Sequence, residues 1–445
     1  MSDTPISSFL KKYQKKGATR LHMPGHKGRG VYGEALDITE IFGADSLFEA
    51  NGIIKESEKN AGEIFGADTF YSTEGSSLSI RTMLYLTVLY AKALGKRPLI
   101  AAARNAHKAF ASAAALVDFD IDWIYAKDCD YLSCRFTKED ISDYFERAEE
   151  LPIAVYITSP DYLGFISDIR GISEECKKRG VLLIVDNAHG AYLKFLPTSM
   201  HPIDLGADMC CDSAHKTLNA LTGCAYLHIS RTASALFHEK AKDAMMLFAS
   251  TSPSYLLLNS LDLLNPYLKS NYASDLQTFI DKLEDLKKNL SSAGYKLVGD
   301  EPMKITILAK EYGYLGGEIS DYLSTQGIFV EFSDPDYLVL MPSPQNTDRD
   351  LDITKAALLS LPKKCRISDT PPKVHIPQKV CSVREAILSP SEILPVKECI
   401  GKTVSSVTAA CPPAIPIAVS GEIIDSETIY RFAYYGNKFC SVIKE

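Results

Sequence analysis

Between about residues 60 and 230 the chain alternates short β-rich runs with helix-like segments, and this alternation restricts the possible folds more than any other feature. The strand candidates are TFYST (69–73), PLIAAA (98–103), IDWIYA (121–126), IAVYITS (153–159), VLLIVD (181–186), MCCDS (209–213) and CAYLHIS (224–230). Several are apolar throughout, with no polar residue at every second position. Strands read this way when helices cover both faces of their sheet. Strand–helix alternation sustained over this length predicts an α/β fold with a mainly parallel sheet. Such sheets bind ligands beyond the carboxyl ends of their strands, so the loops that follow the strands are where chemistry is expected.

The rest of the chain divides around that core. Residues 1–30 read as an N-terminal arm, a basic helix running into the Pro- and Gly-containing loop LHMPGHKGRG, and residues 31–299 as the large domain. SPSYLLLNSLDLLNPYLKSNYASDLQTFIDKLEDLKKNL predicts long helices at its end. MKITILAK, GEISDYLSTQ, IFVEFSDPDYLVLMP and DITKAALLSL then suggest a small α+β domain over 300–370. The Pro-rich SDTPPKVHIP reads as a linker, and residues 371–445 form a last module.

Charge and cysteine content exclude several classes. Forty-eight basic residues against 56 acidic ones give a net charge of −8, which disfavours a nucleic-acid-binding surface. The N-terminus shows no apolar signal region, and no run approaches 18 apolar residues, so neither secretion nor a membrane span is expected. Eleven cysteines without a C-x-x-C pair predict a reduced, cytoplasmic chain with no disulfide framework and no metal site.

Four loops carry unusual residues. In STEGSSLSI, Gly75, Ser76 and Ser77 precede a helix, and backbone N–H groups and hydroxyls there can hold a phosphate. In ARNAHKAF, His107 offers a flat imidazole for stacking or proton transfer. In VLLIVDNAHG, Asp186 closes a buried strand and needs a cationic or hydrogen-bonding partner, with His189 close by. In DSAHKTL, Lys216 has only Asp212 and His215 as charged or titratable neighbours, among small and hydroxylated residues. Each feature alone has a plain reading as a cap or a packed polar group. Together, in this order, they match the needs of pyridoxal phosphate: an anion cradle with Ser213 adding a hydroxyl, a stacking ring, an acid at the pyridine nitrogen and a Schiff-base lysine.

LHMPGHKGRG, STEGSS, RNAHKA, SPDYLGFISDI, VDNAHGAY, SAHKTLNALTG, STSPSYLLLNSLD and CPPAIPIAVSGEII carry a resemblance over nearly the whole chain. The sequence resembles the short form of the prokaryotic ornithine/lysine/arginine decarboxylases, pyridoxal phosphate enzymes of fold type I, the aspartate aminotransferase-like fold. The resemblance implies Lys216 as the Schiff-base lysine, Asp186 at the ring nitrogen and His107 above the ring. It implies Ser76, Ser77, Ser213 and His215 near the phosphate, and a homodimer in which Ser252 approaches the other copy's cofactor. It differs at several positions. Asn187 and Tyr192 replace a usual Glu and His and bear on the substrate pocket, while Glu74, Asp161 and Gly223 replace a usual Asn or Gln, Thr and Gln.

The expected reaction is α-decarboxylation of a basic amino acid, arginine slightly ahead of lysine and ornithine. Glu422 and Asp425 are the expected contacts for the distal cation. The alternatives are another fold type I reaction, such as an aminotransferase or aldolase-like lyase, and a non-catalytic regulator.

Overall fold

The computed structural model describes residues 3–127, 129–406 and 413–444. These form two compact units that interleave along the chain. The first takes residues up to Pro98 together with Glu150–Ile157 and Ile169–Asp275, and the second takes Leu99–Glu149, Thr158–Asp168 and the residues from Leu276 on.

Every strand expected in the core is present: β1 (Ala67–Ser72), β2 (Leu99–Ala103), β3 (Asp120–Ile124), β4 (Ala154–Thr158), β5 (Leu182–Asp186), β6 (Met209–Asp212) and β7 (Ala225–Ser230). In the first unit the strand order is β1–β7–β6–β5–β4. β5 and β6 run parallel, and β7 runs antiparallel to both of its neighbours. In the second unit β2 and β3 are parallel. The expected α/β class with a mostly parallel central sheet is the one observed. All of β6 and all but the first residue of β5 are buried. That explains why these strands show no polar alternation.

The second unit also holds the antiparallel sheet β10–β11–β9–β8, built from β8 (Leu297–Val298), β9 (Ile305–Leu308), β10 (Phe332–Ser333) and β11 (Tyr337–Leu340). With helices Gly316–Thr325 and Asp348–Ser360 it makes the α+β pattern read from the sequence. Strands β12 (Ser391–Pro395) and β13 (Phe439–Ile443) pair antiparallel in the last module, around buried Val404, Phe432, Cys440 and Val442. The sequence reading did not name these two strands.

One cysteine expectation is corrected. Cys129 and Cys134 are joined by a disulfide, across a turn that brings their Cα atoms to 4.5 Å. A five-residue separation falls outside the C-x-x-C spacing on which the reduced reading leaned. Cys176, Cys210, Cys211, Cys224, Cys399 and Cys440 are free and buried.

Candidate active site

The first unit gathers most of the residues singled out in the loops. β5 ends at Asp186 and β6 ends at Asp212, side by side in the sheet, so the loops after them leave from the same edge. Asp186 is 2% exposed. Its carboxylate accepts from the Tyr156 hydroxyl at 3.2 Å, the Ala188 N–H at 3.2 Å and the Cys211 thiol at 3.5 Å. Burial pushes Tyr156 and Cys211 well above their ordinary values, so both stay protonated and both donate. All three partners are neutral. A buried anion with only neutral donors favours a cation placed beside it.

Lys216 lies in the short turn Ala214–Thr217 after β6, and its Nζ is 2.9 Å from Nε2 of buried His189. The Ser213 hydroxyl donates to the Ser76 hydroxyl at 2.9 Å, which brings the loop before Lys216 to the first turn of helix Gly75–Ala93. Gly75 opens that helix at φ +69°, a conformation that only glycine adopts without strain, and a Cβ there would meet nothing within 4 Å. Its N–H donates to the Gly223 carbonyl at 2.8 Å. Gly223 stands at φ +99°, where a side chain is strained, and a Cβ on it would crowd the Thr73 carbonyl at 3.2 Å, so the usual glutamine fits this backbone poorly. His215 turns Nδ1 to the Cys224 carbonyl at 2.9 Å, and burial lowers its pKa. Ser252 is exposed.

Asn187 and Tyr192 are both fully buried. The Asn187 amide donates to Asp212 at 2.6 Å, so this substitution belongs to the packing behind the strand ends and not to an open pocket.

The second unit holds His107, Glu422 and Asp425. His107 caps helix Lys108–Val117, its Nδ1 accepting the Ala109 N–H at 3.1 Å. Glu422 is 4% exposed; it pairs with Arg104 at 3.2 Å and accepts the Val419 N–H at 2.7 Å. Arg104 donates to the Pro416 and Ile417 carbonyls, each at 3.1 Å, and lies over the Trp123 ring. Asp425 caps helix Ser426–Tyr434 and meets His375 at 2.6 Å. Sequence reasoning quoted the segment containing Arg104 without singling it out; an arginine three residues before His107 was the available signal. Cys411 and Pro412 of the last motif lie outside the described residues.

Residues 4–301 match the family described as "Orn/Lys/Arg decarboxylase, major domain". The chain belongs to this family of amino-acid decarboxylases. It is 29% identical to an arginine decarboxylase of Halalkalibacterium halodurans over 96% of this chain and 92% of that protein. It is 28% identical to an arginine decarboxylase of Bacillus subtilis with the same coverage. In fold it is similar to the lysine decarboxylase LdcF of Francisella novicida, with a TM-score of 0.78, 19% identity and coverage of 99% of this chain and 81% of that one. Lysine decarboxylase A of Pseudomonas aeruginosa gives a TM-score of 0.81 at 17% identity, over 99% and 80% of the two chains. The family and fold imply pyridoxal phosphate, and the residues fit it: an amine at Lys216, a buried carboxylate at Asp186 that accepts from Tyr156, Ala188 and Cys211, and an open helix N-terminus flanked by Ser76 and Ser213. Among the described residues, no helix is long and apolar enough to cross a membrane.

Proposed function

We propose that the chain is a pyridoxal phosphate-dependent decarboxylase that converts a basic amino acid, with arginine favoured, to its amine and carbon dioxide. The observation that carries this reading is the arrangement at the ends of β5 and β6: Lys216 within hydrogen-bond reach of His189, beside a buried Asp186 whose donors are all neutral. Arginine is favoured because relatives matching at 28–29% identity over 96% of the chain carry the name arginine decarboxylase.

When bound, pyridoxal phosphate supplies the electron sink for the charge left as carbon dioxide departs. The chain supplies everything else. Lys216 must shed a proton before its nitrogen can act as a nucleophile, and Nε2 of His189, at 2.9 Å, is the atom placed to take it. Asp186 would hold the ring nitrogen's proton by charge, while Tyr156 and Cys211 fix the orientation of its carboxylate. The N–H groups of the helix that begins at Gly75, with the Ser76, Ser77 and Ser213 hydroxyls, would hold the phosphate. His215 stands near that phosphate. His107 would be the group to stack on the ring, and His107 or Lys216 would be the proton donor to the α-carbon. Glu422 and Asp425 already have partners in Arg104 and His375, so their part is to shape the substrate end through those partners. The active unit is a cytoplasmic homodimer, with exposed Ser252 offered to the second copy.

The test is carbon dioxide release and amine formation from arginine, lysine and ornithine in parallel, with pyridoxal phosphate added. Amine from arginine at the highest kcat/KM is expected. Loss of all three activities, beside a cofactor absorbance that Lys216→Ala removes, would keep the cofactor and overturn the decarboxylase.

A further inference from the structure

We infer that Asn187 and Asp212 form a buried clasp that sets the register of the two strand ends bearing Asp186 and Lys216, and that both are positioning residues for the cofactor lysine. The inference rests on the reading of Lys216 as the cofactor's anchor.

Asn187 follows Asp186 directly, and Asp212 precedes Ser213 and stands four residues before Lys216. The regular β5–β6 ladder ends at Asp186 opposite Cys211, and one further bond, from the Asn187 N–H to the Cys211 carbonyl at 3.0 Å, extends it. The side chains then close it, with Asn187 Nδ2 donating to Asp212 Oδ1 at 2.6 Å where both residues are fully buried. Asp212 Oδ2 accepts from Nε2 of His201 at 3.0 Å and of His228 at 3.2 Å. His228 is in turn tied through Nδ1 to the Thr69 hydroxyl at 2.9 Å. Four chain segments therefore converge on one carboxylate.

The proton inventory fixes the polarity of the clasp. His201 is fully buried and meets Asp212 through Nε2, while its Nδ1 has no partner among the described residues. Burial pushes His228 below its ordinary value, and Thr69 can donate to its Nδ1. Burial also opposes ionisation of Asp212, but His201 and His228 outweigh it and hold the carboxylate well below the usual range. Cys210 lies 4.0 Å from His201 Nε2, and burial raises its pKa well above the ordinary thiol value, so it adds a neutral sulfur to this hydrogen-bonded cluster. Lys194, the nearby cation, is committed to Asp204 at 2.7 Å and 2.8 Å. Asp212 is thus an anion held by His201 and His228, and position 187 supplies its remaining donor. A glutamate there, usual in the related enzymes, would set a second carboxylate against the first without water. An amide is the side chain that fits.

The experiment compares Asn187→Asp, Asp212→Asn, the double exchange of the two, and Asn187→Ala. Each protein is followed by the dissociation constant of pyridoxal phosphate, the pH midpoint of the absorbance of cofactor attached to Lys216, and the thermal midpoint without cofactor. Asn187→Asp and Asn187→Ala should each weaken cofactor binding by about tenfold or more, as expected when a hydrogen bond to a buried charge is lost, and shift the absorbance midpoint. The double exchange keeps every hydrogen bond with the charge moved across, and should return cofactor binding to within about threefold of the parent. If Asn187→Ala folds and lowers the thermal midpoint while affinity and absorbance midpoint stay put, the residues are structural only and the inference fails. A double exchange no better than its single members overturns the pairing. Should the parent show no absorbance that Lys216→Ala removes, the cofactor reading fails first, and the clasp inference with it.

Discussion

Asp186 and Glu422 are both carboxylates buried to within a few per cent of full burial, yet they are satisfied in opposite ways. In the first unit Asp186 receives a phenol, a thiol and a backbone N–H, all neutral. In the second, Glu422 faces the Arg104 guanidinium at 3.2 Å and the Val419 N–H at 2.7 Å. A buried charge held only by neutral groups is a standing electrostatic demand, whereas a paired one has been met. The difference leaves Asp186 with an unmet demand for a cation and Glu422 with a cation already beside it, although both read from the sequence as ligand contacts.

The largest effect should come from breaking the first of these. Asp186→Asn keeps the shape and removes the charge. Decarboxylation should fall by at least about a hundredfold, the scale seen when one preorganised electrostatic partner is lost. The cofactor-free protein should meanwhile hold or gain thermal stability, because an unpaired buried charge has gone. Steady-state rates and thermal unfolding without cofactor test the two halves separately. A cofactor-free variant that unfolds earlier than the parent would show that Asp186 is structural.

Glu422→Gln should behave in the reverse sense. It strands Arg104 among buried groups, and breaking one side of such a pair costs about 3–5 kcal/mol. Denaturant unfolding of the cofactor-free protein should register that loss. Arg104 also binds the Pro416 and Ile417 carbonyls, and Lys108 donates to the Ala414 carbonyl at 2.8 Å, so the segment that carries His107 loosens with it. An unchanged unfolding midpoint with a raised KM for the amino acid would instead return Glu422 to direct contact with substrate.

These contrasts mark what a linear reading can reach. Asp186, Lys216 and the GSS turn were legible because each sits at a strand or helix end, where a short motif is already the geometry. The core strands were legible from their unbroken apolar runs. Asp212 also closes a strand, but its partners His201 and His228 lie 11 and 16 positions further off, on other elements, and no spacing rule joins them. Arg104 and Glu422 are 318 residues apart. Their pairing exists only after folding, so Glu422 could be found as an acid in a motif but not as half of an ion pair. The Cys129–Cys134 link escaped for the opposite reason: the two are near in sequence, but whether such a pair closes depends on the turn between them.

A smaller effect is expected at Gly223, whose carbonyl accepts the Gly75 N–H at the start of the proposed phosphate cradle. At φ +99° an alanine pays about 1–2 kcal/mol in backbone strain. Its Cβ would also press on the Thr73 carbonyl at 3.2 Å and on Leu257 at 3.1 Å. Gly223→Ala should therefore weaken pyridoxal phosphate more than it weakens a phosphate-free pyridoxal, as two parallel binding titrations would show. Equal weakening of both ligands would detach Gly223 from the cradle.

The smallest effect tests the carboxylate comparison at a third site. Asp161 is 2% exposed and accepts the Leu163 and Phe165 N–H groups at 3.0 Å and 2.9 Å, with the Ser133 hydroxyl on its other oxygen. The donors to its carboxylate are neutral, as at Asp186, and burial pushes its pKa up to about 7 even though the Lys304 ammonium, on the Asp161 carbonyl at 3.1 Å, acts to lower it. The folded value thus lies above the unfolded one, near 3.9. The folded protein holds a proton that the unfolded chain has released, so this group's contribution to stability falls as pH rises from about 4 to about 7 and is flat above. Asp161→Asn keeps an acceptor for both backbone donors and cannot ionise. Its thermal midpoint should depend less on pH across that window than the parent's, and should lie a few degrees above it near pH 8. Parallel pH dependences in the two proteins would mean that Asp161 ionises at an ordinary carboxylate pH, with Lys304 outweighing its burial, and that Asp161 does not repeat the environment of Asp186.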